Sequence, residues 1–284
     1  MTKKTVTESV AGKESPSVTE SATVTESPSV TESPWGEWRS VTPARLALGR
    51  VGAGMPTDEI LRFGWAHAMA RDAIHAALDL PKLTEALHEQ GWIVTQTHSH
   101  APDRTTYLRR PDLGRVLDPH EHDRIRAMDV ARDGICIVIG DGLSSLAVDR
   151  HAALLLAALK PLLKDELATA PVIIASQARV ALADEVADLL NAKLVIMLIG
   201  ERPGLSSPDS LGIYITHAPF KGRSDAERNC ISNVRPAGLS YAAAAFKLAW
   251  LVRQALDRGL TGVDLKDESD RALPKPGTAN RITG

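Results

Sequence analysis

The sequence predicts an α/β protein with a Rossmann-like open parallel sheet, an N-terminal helical lobe and a disordered N-terminal tail. Three short apolar runs indicate the sheet, namely GICIVIG (134–140), PVIIAS (171–176) and KLVIMLIG (193–200). Runs that are apolar at nearly every position are typical of strands buried on both faces, as in parallel sheets. Helical stretches separate the runs, and right-handed strand–helix–strand connections place such strands in one sheet.

The first 38 residues contain little that could form a core. The string VTES occurs four times between residues 6 and 33, with Pro16 after the first copy and Pro28 before the last. A Ser/Thr/Glu/Pro segment buries too little apolar surface to offset its loss of conformational entropy, so we predict that residues 1–38 are disordered. A targeting tail, a tether and a dispensable extension are the interpretations left open.

The next region, residues 39–130, is predicted to form a helical lobe. Thr57 can cap a helix that runs to about residue 79, and the acidic residues after it suit the positive end of the helix dipole. A second helix, at about 81–90, begins at a proline and ends before Gly91.

Residues 131–284 contain the predicted sheet and its helices. An apolar helix is expected at about 145–163, an amphipathic helix at about 178–190, a fourth strand (LGIYITHA) at 211–218 and a last helix at 240–258. Ser240 can cap the last helix, and Gly259 ends it.

Composition and charge exclude several classes of protein. The formal net charge of −2 provides no field that would attract nucleic acid or an anionic membrane surface. The longest apolar runs are far shorter than the roughly 20 residues of a membrane span. Two cysteines are too few for a disulfide framework, and no secretory signal is evident. We therefore expect a soluble, cytoplasmic protein.

Ligands of open α/β sheets bind outside the carboxyl ends of the strands. This rule selects three loops, Gly140–Ser145, Ser176–Val180 and Gly200–Ser210. In the third loop Glu201 and Arg202 directly follow a buried strand, where charged groups are costly unless they are solvated or bound. A ligand contact and a local Glu–Arg ion pair at the sheet rim are both possible interpretations.

The first loop, GDGLSS, resembles a damaged dinucleotide-binding fingerprint, with serine at the last glycine position. No acidic residue is well placed about 20 positions later to bind a ribose. A stand-alone NAD-dependent oxidoreductase is therefore the weaker alternative. The pattern favours glycines that allow a tight strand-to-helix turn.

Two histidine pairs, HSH (98–100) and HEH (120–122), could indicate a metal site. Neither pair lies in a predicted helix or strand that would aim both rings at one point, and no cysteine pair supports them, so no metal ligand is predicted. The segment DPH (118–120) also fails as the D-x-H-x-x-G element of base-off cobalamin proteins, because Asp123 stands where that element has glycine.

The two cysteines lie in different sequence contexts. Cys136 alternates within an apolar run and is expected in the core. Cys230 lies in DAERNCISN (225–233), a polar segment that we expect to be a loop. A nucleophile, a ligand contact and an inert thiol all remain possible for Cys230.

Several motifs together resemble the light chain of ethanolamine ammonia-lyase. The resemblance spans about residues 57–258, and IGERPGLSSPDSLG followed by RNCISN is its most specific part. The supporting motifs are DRTTYLRRPDLGR (103–115), GDGLSS (140–145), SQARVALADEV (176–186) and AERNCISNVRPAGLSY (226–241).

The resemblance implies a subunit that is inactive alone. Light chains of this family pair with a large subunit, a TIM barrel that holds ethanolamine and most catalytic groups, in assemblies that typically contain six of each. Adenosylcobalamin lies between the two subunits, and radical deamination converts ethanolamine to acetaldehyde and ammonia. Relatives are often enclosed in bacterial microcompartments, which this sequence leaves open.

The resemblance also assigns residues within 131–284, the predicted cobalamin-contacting domain. The family's small-subunit cobalamin contacts fall on Val180, Glu201 and Cys230. They imply an apolar contact, an acceptor for corrin amides and a small, weakly polar contact. No catalytic residue is expected on this chain. The coenzyme is expected to be base-on, with no histidine of this chain on cobalt. A non-catalytic corrinoid-binding or scaffold protein is the further alternative.

Overall fold

The computed structural model describes residues 29–130 and 132–272. Most of the predicted disordered tail, residues 1–28, lies outside the described residues. Among the described helices, none combines the length and the apolar content that a membrane span requires.

The chain divides into two compact units after Glu59. In the first unit, Thr31 forms an isolated antiparallel bridge with Arg50, and Gly36–Ser40 is a 3₁₀ helix. The Arg39 guanidinium lies 2.5 Å from the Glu59 carboxylate. The described end of the predicted tail therefore forms local structure.

Helices and strands alternate in the middle of the described chain. In chain order they are α1 Thr57–His75, α2 Leu80–Glu89, β1 Val94–His98, α3 Arg104–Arg109, α4 His122–Arg126, β2 Ile135–Gly140, α5 Ser145–Leu159, β3 Val172–Ser176, α6 Val180–Leu189, β4 Leu194–Gly200, β5 Leu211–His217, β6 Asn229–Val234, α7 Tyr241–Arg258 and α8 Ser269–Ala272. Ser144 and Ser240 cap α5 and α7 through their side chains, and Gly259 ends α7 with a left-handed φ of 67°. The helices and strands predicted from the sequence all form, with ends shifted by a few residues.

The strands form a six-stranded sheet in the order β1-β3-β2-β4-β5-β6. The first four strands of this order are parallel, whereas β5 and β6 are antiparallel to their neighbours. The sheet is therefore mixed, and the prediction of a parallel sheet is wrong for β5 and β6. For β5 the cause is the connection of residues 201–210, which contains no helix, because a parallel neighbour needs a crossover of a dozen or more residues.

The central strands are buried on both faces, as their apolar runs predicted. Ile137 belongs to the core under α5 and α7, and its neighbour Val138 belongs to the core under α6. Cys136 is a core residue on the α6 side and is 1% exposed, which confirms its prediction. Because β2, β3 and β4 are parallel, their carboxyl ends lie at the same end of the sheet.

Two strands differ from the sequence-based expectation. The region predicted to be helical over 39–130 also contributes edge strand β1, which its sequence pattern did not predict. Cys230 lies in β6, the opposite edge strand, and not in a loop as expected. The segment is polar because most of its side chains are not buried, and edge strands of this kind lack the apolar runs of central strands.

Candidate functional site: a cleft at the strand ends

The three loops that the strand-end rule selected meet around one cleft. The first cleft loop (140–145), the second (176–180) and the third (200–210) follow β2, β3 and β4, respectively. The cleft has a volume of about 400 Å³. Its lining includes the side chains of Tyr107, Arg179, Val180, Glu201, Arg202 and Tyr214.

Glycines allow the first and third cleft loops to touch through their backbones. Gly142 has a φ of +59°, and a Cβ there would lie 2.2 Å from the Gly200 oxygen. A Cβ on Gly200 would lie 1.9 Å from the Ser144 oxygen. The Leu143 N–H donates to the Gly200 carbonyl at 3.0 Å. The glycines of GDGLSS thus serve a tight turn and a close backbone approach, as the sequence pattern favoured.

A buried carboxylate joins the first and second cleft loops. Asp141 accepts hydrogen bonds from the backbone N–H groups of Gln177 and Ala178, each at 3.0 Å, and lies 3.4 Å from an Arg104 nitrogen. Burial raises the pKa of Asp141, while Arg104 and the N–H groups act in the opposite direction. The bonds hold Gln177 at a φ of +54°, which is uncommon outside glycine. Sequence reasoning did not identify Asp141, although an acidic residue between two glycines after a buried strand was the available signal.

An aromatic ring beneath the cleft positions one of its arginines. The buried Tyr107 hydroxyl donates to the Ala178 carbonyl at 3.0 Å, and burial raises the pKa of Tyr107. The guanidinium of Arg179 lies over this ring at 4.5 Å from its centroid, and that of Arg104 lies at 4.9 Å. The backbone N–H of Arg179 donates to the Gly114 carbonyl at 2.7 Å. Within the described chain, the buried Nε of Arg179 has no hydrogen-bond partner.

Glu201 is held by the neighbouring strands and not by Arg202. Its Oε2 atom accepts from the Ser210 hydroxyl and from the Asn233 N–H, the latter at 3.3 Å. Gly212 leaves room for the carboxylate, since a Cβ there would lie 3.1 Å from Oε1. The local Glu–Arg ion pair considered from the sequence does not form among the described residues. Arg202 is exposed at the cleft.

The three predicted contact residues do not all line the cleft. Val180, the first residue of α6, and Glu201 both line it. Cys230 is exposed and lies directly across the β5–β6 pair from Tyr214, which lines the cleft. The Cys230 sulfur is 3.4 Å from the Ser232 hydroxyl. The structure therefore brings two of the predicted residues together and places the third one strand further away.

A buried ion pair connects the elements that carry Val180 and Cys230. Asp184 of α6 and Arg228, two residues before Cys230, form this pair, and their side chains are 1% and 2% exposed. Arg228 also reaches the Asp225 carboxylate at 2.6 Å. Burial raises the pKa of Asp184, and the hydrogen bond from Arg228 opposes this effect. Sequence patterns did not reveal the pair, because its members are 44 positions apart.

The histidine pairs considered for a metal site lie in other contexts than expected. His98 ends β1, and its Nδ1 lies 2.8 Å from the Ser99 oxygen. His122 begins α4, with Nε2 3.3 Å from the Glu185 carboxylate. In residues 29–130 and 132–272, no group of three or more His, Cys, Asp or Glu side chains is arranged to hold a metal ion.

The fold and the cleft define an α/β protein with a candidate ligand site at the carboxyl ends of its sheet strands. Comparison with known proteins identifies the family. A sequence model of the ethanolamine ammonia-lyase light chain family matches residues 32–266. The chain belongs to this family, which confirms the resemblance seen in its motifs.

Similar proteins cover most of the chain. A relative from Bradyrhizobium diazoefficiens is 54% identical over 244 residues, which are 85% of this chain and 94% of the relative. Relatives from Xanthomonas campestris pv. campestris (50% identical; 87% of this chain, 92% of the relative) and Azotobacter vinelandii (52% identical; 84% and 90%) are similar over comparable lengths. Each of these relatives is named ethanolamine ammonia-lyase small subunit.

Proposed function

We propose that the chain acts as the small subunit of an ethanolamine ammonia-lyase and contacts adenosylcobalamin at its interface with a large catalytic subunit. The observation that carries this proposal is the convergence of Val180 and Glu201 on one cleft, from loops that follow different strands. Both positions are cobalamin contacts by resemblance, and both lie where open α/β sheets bind ligands.

The cleft residues fit the chemistry of a corrin edge. Val180 and Tyr214 offer apolar surface, which suits the corrin rim. Oε1 of Glu201 makes no hydrogen bond among the described residues, so it is free to accept one from an amide side chain of the corrin. The buried, unpaired Nε of Arg179 needs an acceptor. Val180, Tyr214 and Glu201 match the amide-rich, otherwise apolar surface of cobalamin.

The size of the cleft supports a shared site. A volume of about 400 Å³ holds only part of a corrin with its side chains. A second polypeptide would have to cover the remainder, and the small-subunit name of the relatives suggests a large subunit for this role. We propose an assembly of six large and six small subunits, with ethanolamine bound mainly by the large one.

In this proposal the chain binds the coenzyme and shields it from water. When bound, the coenzyme would supply the radical chemistry that converts ethanolamine to acetaldehyde and ammonia. Val180 excludes water from one side of the cleft, and Glu201 orients amide groups. The hydrogen bonds that Asp141 accepts from Gln177 and Ala178 hold the first and second cleft loops together. We propose that the coenzyme is bound base-on, with no histidine of this chain on cobalt.

The base-on state is tested by isotopic labelling. Small subunit grown with ¹⁵N-histidine is combined with unlabelled large subunit, and the electron paramagnetic resonance spectrum of the cob(II)alamin state is recorded. The nitrogen hyperfine splitting should match that of the unlabelled complex. A changed splitting would show that a histidine of this chain ligates cobalt.

Thiol accessibility tests the contact at Cys230. In the purified chain, a thiol reagent should modify the exposed Cys230 rapidly. Cys136 serves as the internal control, because burial raises the pKa of its thiol to about 12 and leaves it unreactive until the chain unfolds. Large subunit and adenosylcobalamin together should protect Cys230 more than the large subunit alone.

Two results would contradict this assignment. Equal protection with and without coenzyme would place Cys230 in a protein–protein contact, and no protection would remove it from the interface. Acetaldehyde formation by the purified chain alone would contradict the subunit role, for which activity requires the large subunit and adenosylcobalamin together.

A further inference from the structure

Two arginines at the cleft have no acidic partner among the residues that the structure describes. Arg179 lies in the second cleft loop, directly before α6, and Arg202 lies in the third cleft loop. Among the ion pairs and hydrogen bonds of the described residues, neither guanidinium is joined to a carboxylate. The one carboxylate that lines the cleft within the described chain, Glu201, is engaged by Ser210 and Asn233 instead. The described wall of the cleft thus carries an excess of positive charge.

Arg179 is held in place before any ligand binds. Its guanidinium stacks on Tyr107, and the Tyr107 hydroxyl is fixed by the Ala178 carbonyl. The Nε of Arg179 is buried without a partner among the described residues. Nearly all buried polar atoms in folded proteins have a hydrogen-bond partner, so an unpaired donor beside a cleft indicates a missing acceptor. A guanidinium fixed by stacking also loses less conformational freedom when it binds.

The start of α6 adds to the positive potential. This ten-residue helix begins at Val180, directly after Arg179, and its N-cap has no side-chain hydrogen bond. The positive end of the helix dipole favours an anionic group close to the first turn. The start of the helix and the two arginines therefore favour the same charge in the cleft.

We propose that Arg179 and Arg202 form a subsite for a phosphodiester, the anionic group of the coenzyme's nucleotide loop. This inference rests on the proposed function. The peripheral side chains of adenosylcobalamin are uncharged amides, and its phosphodiester is the group that calls for arginine. Planar guanidinium groups bind phosphate oxygens through paired, charge-assisted hydrogen bonds. Glu201 suits the amides, so the cleft distinguishes the two parts of the coenzyme by charge.

A comparison of two corrinoids tests the subsite. Cobinamide lacks the nucleotide and its phosphate, whereas cobinamide phosphate retains a phosphate group. Equilibrium dialysis against the complex of small and large subunits gives the Kd of each, independently of turnover. In the wild-type complex, cobinamide phosphate should bind at least about tenfold more tightly than cobinamide, as expected for hydrogen bonds to a charged group.

Substitutions then assign the preference to the two arginines. Arg179→Gln and Arg202→Gln should each reduce the ratio of the two Kd values severalfold and leave the Kd of cobinamide nearly unchanged. Arg202 is exposed, so its variant carries little risk to folding. Arg258→Gln is the matched control, since Arg258 is an exposed arginine at the end of α7 and does not line the cleft. It should keep the wild-type ratio.

Other outcomes would overturn the assignment. If both variants weakened cobinamide and cobinamide phosphate equally, the arginines would not recognise phosphate. If they left the ratio intact but weakened association of the subunits without corrinoid, measured by calorimetry, their acceptor would be a carboxylate of the large subunit. A wild-type complex that bound neither corrinoid nor adenosylcobalamin would contradict the proposed function itself, a result distinguishable from the first two.

Discussion

Replacement of Asp141 by asparagine tests whether the buried carboxylate holds the cleft loops together. The backbone N–H groups of Gln177 and Ala178 donate to separate Asp141 oxygens. Asparagine keeps the shape of the side chain but has a single acceptor oxygen, so one buried N–H would face an NH₂ group. Arg104 would also lose the carboxylate that lies 3.4 Å away.

The expected loss of stability follows from these contacts. A buried donor left without an acceptor costs about 1–3 kcal/mol. Breaking a buried ion pair costs about 3–5 kcal/mol when the remaining charge has no other partner. Arg104 keeps two acceptors, the carbonyls of Ile74 and Gly142, each at 2.8 Å, so its share is smaller. Because burial also disfavours the Asp141 charge, we expect a total loss of about 3 kcal/mol.

Urea unfolding of the purified chain, followed by circular dichroism, measures this loss as a lower midpoint with an unchanged slope. Asp149→Asn is the matched control. Asp149 is half-buried and accepts one backbone N–H, from Asp79 at 3.2 Å, which asparagine can still accept. We expect the control to lose about 1 kcal/mol or less. Equal, small losses of stability in the two variants would refute the role of Asp141 in joining the cleft loops.

Two further predictions concern the packing of the third cleft loop and the response to acid. Gly200→Ala would place a carbon 1.9 Å from a backbone oxygen of the first cleft loop and should destabilise the chain by about 2–3 kcal/mol. The control is Gly204→Ala, whose added carbon would have its nearest atom at 3.8 Å and should change stability by less than about 0.5 kcal/mol. Similar effects of the two substitutions would argue against the close approach of the loops. Hydrogen bonds from the Ser224 N–H and from Arg223 hold the pKa of Glu227 at about 2, below its ordinary value of 4.5. A carboxylate with a lowered pKa stabilises the fold fully above its ordinary pKa, and this contribution is lost as the pH falls towards 2. The difference in unfolding midpoint between wild type and Glu227→Gln should therefore shrink from pH 5 to pH 2, and a difference independent of pH would contradict the assignment.

Local sequence patterns determined much of the fold and part of the site. The apolar runs of β2, β3 and β4 indicated strands buried on both faces, because each residue type is selected by the face that it contacts. Since ligands bind at strand carboxyl ends, the same runs located the cleft loops that contain Val180 and Glu201. The family motifs then indicated which residues of these loops contact a coenzyme.

Only the tertiary structure decided which distant segments become neighbours. Strand β1 is short and mostly polar, so its pairing with β3 depends on the sheet edge available to it and not on its own pattern. The hydrogen bonds of Asp141 to the second cleft loop and the Asp184–Arg228 pair also join groups far apart in the chain. The placement of Cys230 beside Tyr214 likewise results from strand pairing. Periodicity reports the environment of one segment, whereas these contacts arise from the packing of several segments at once, and no single segment encodes them.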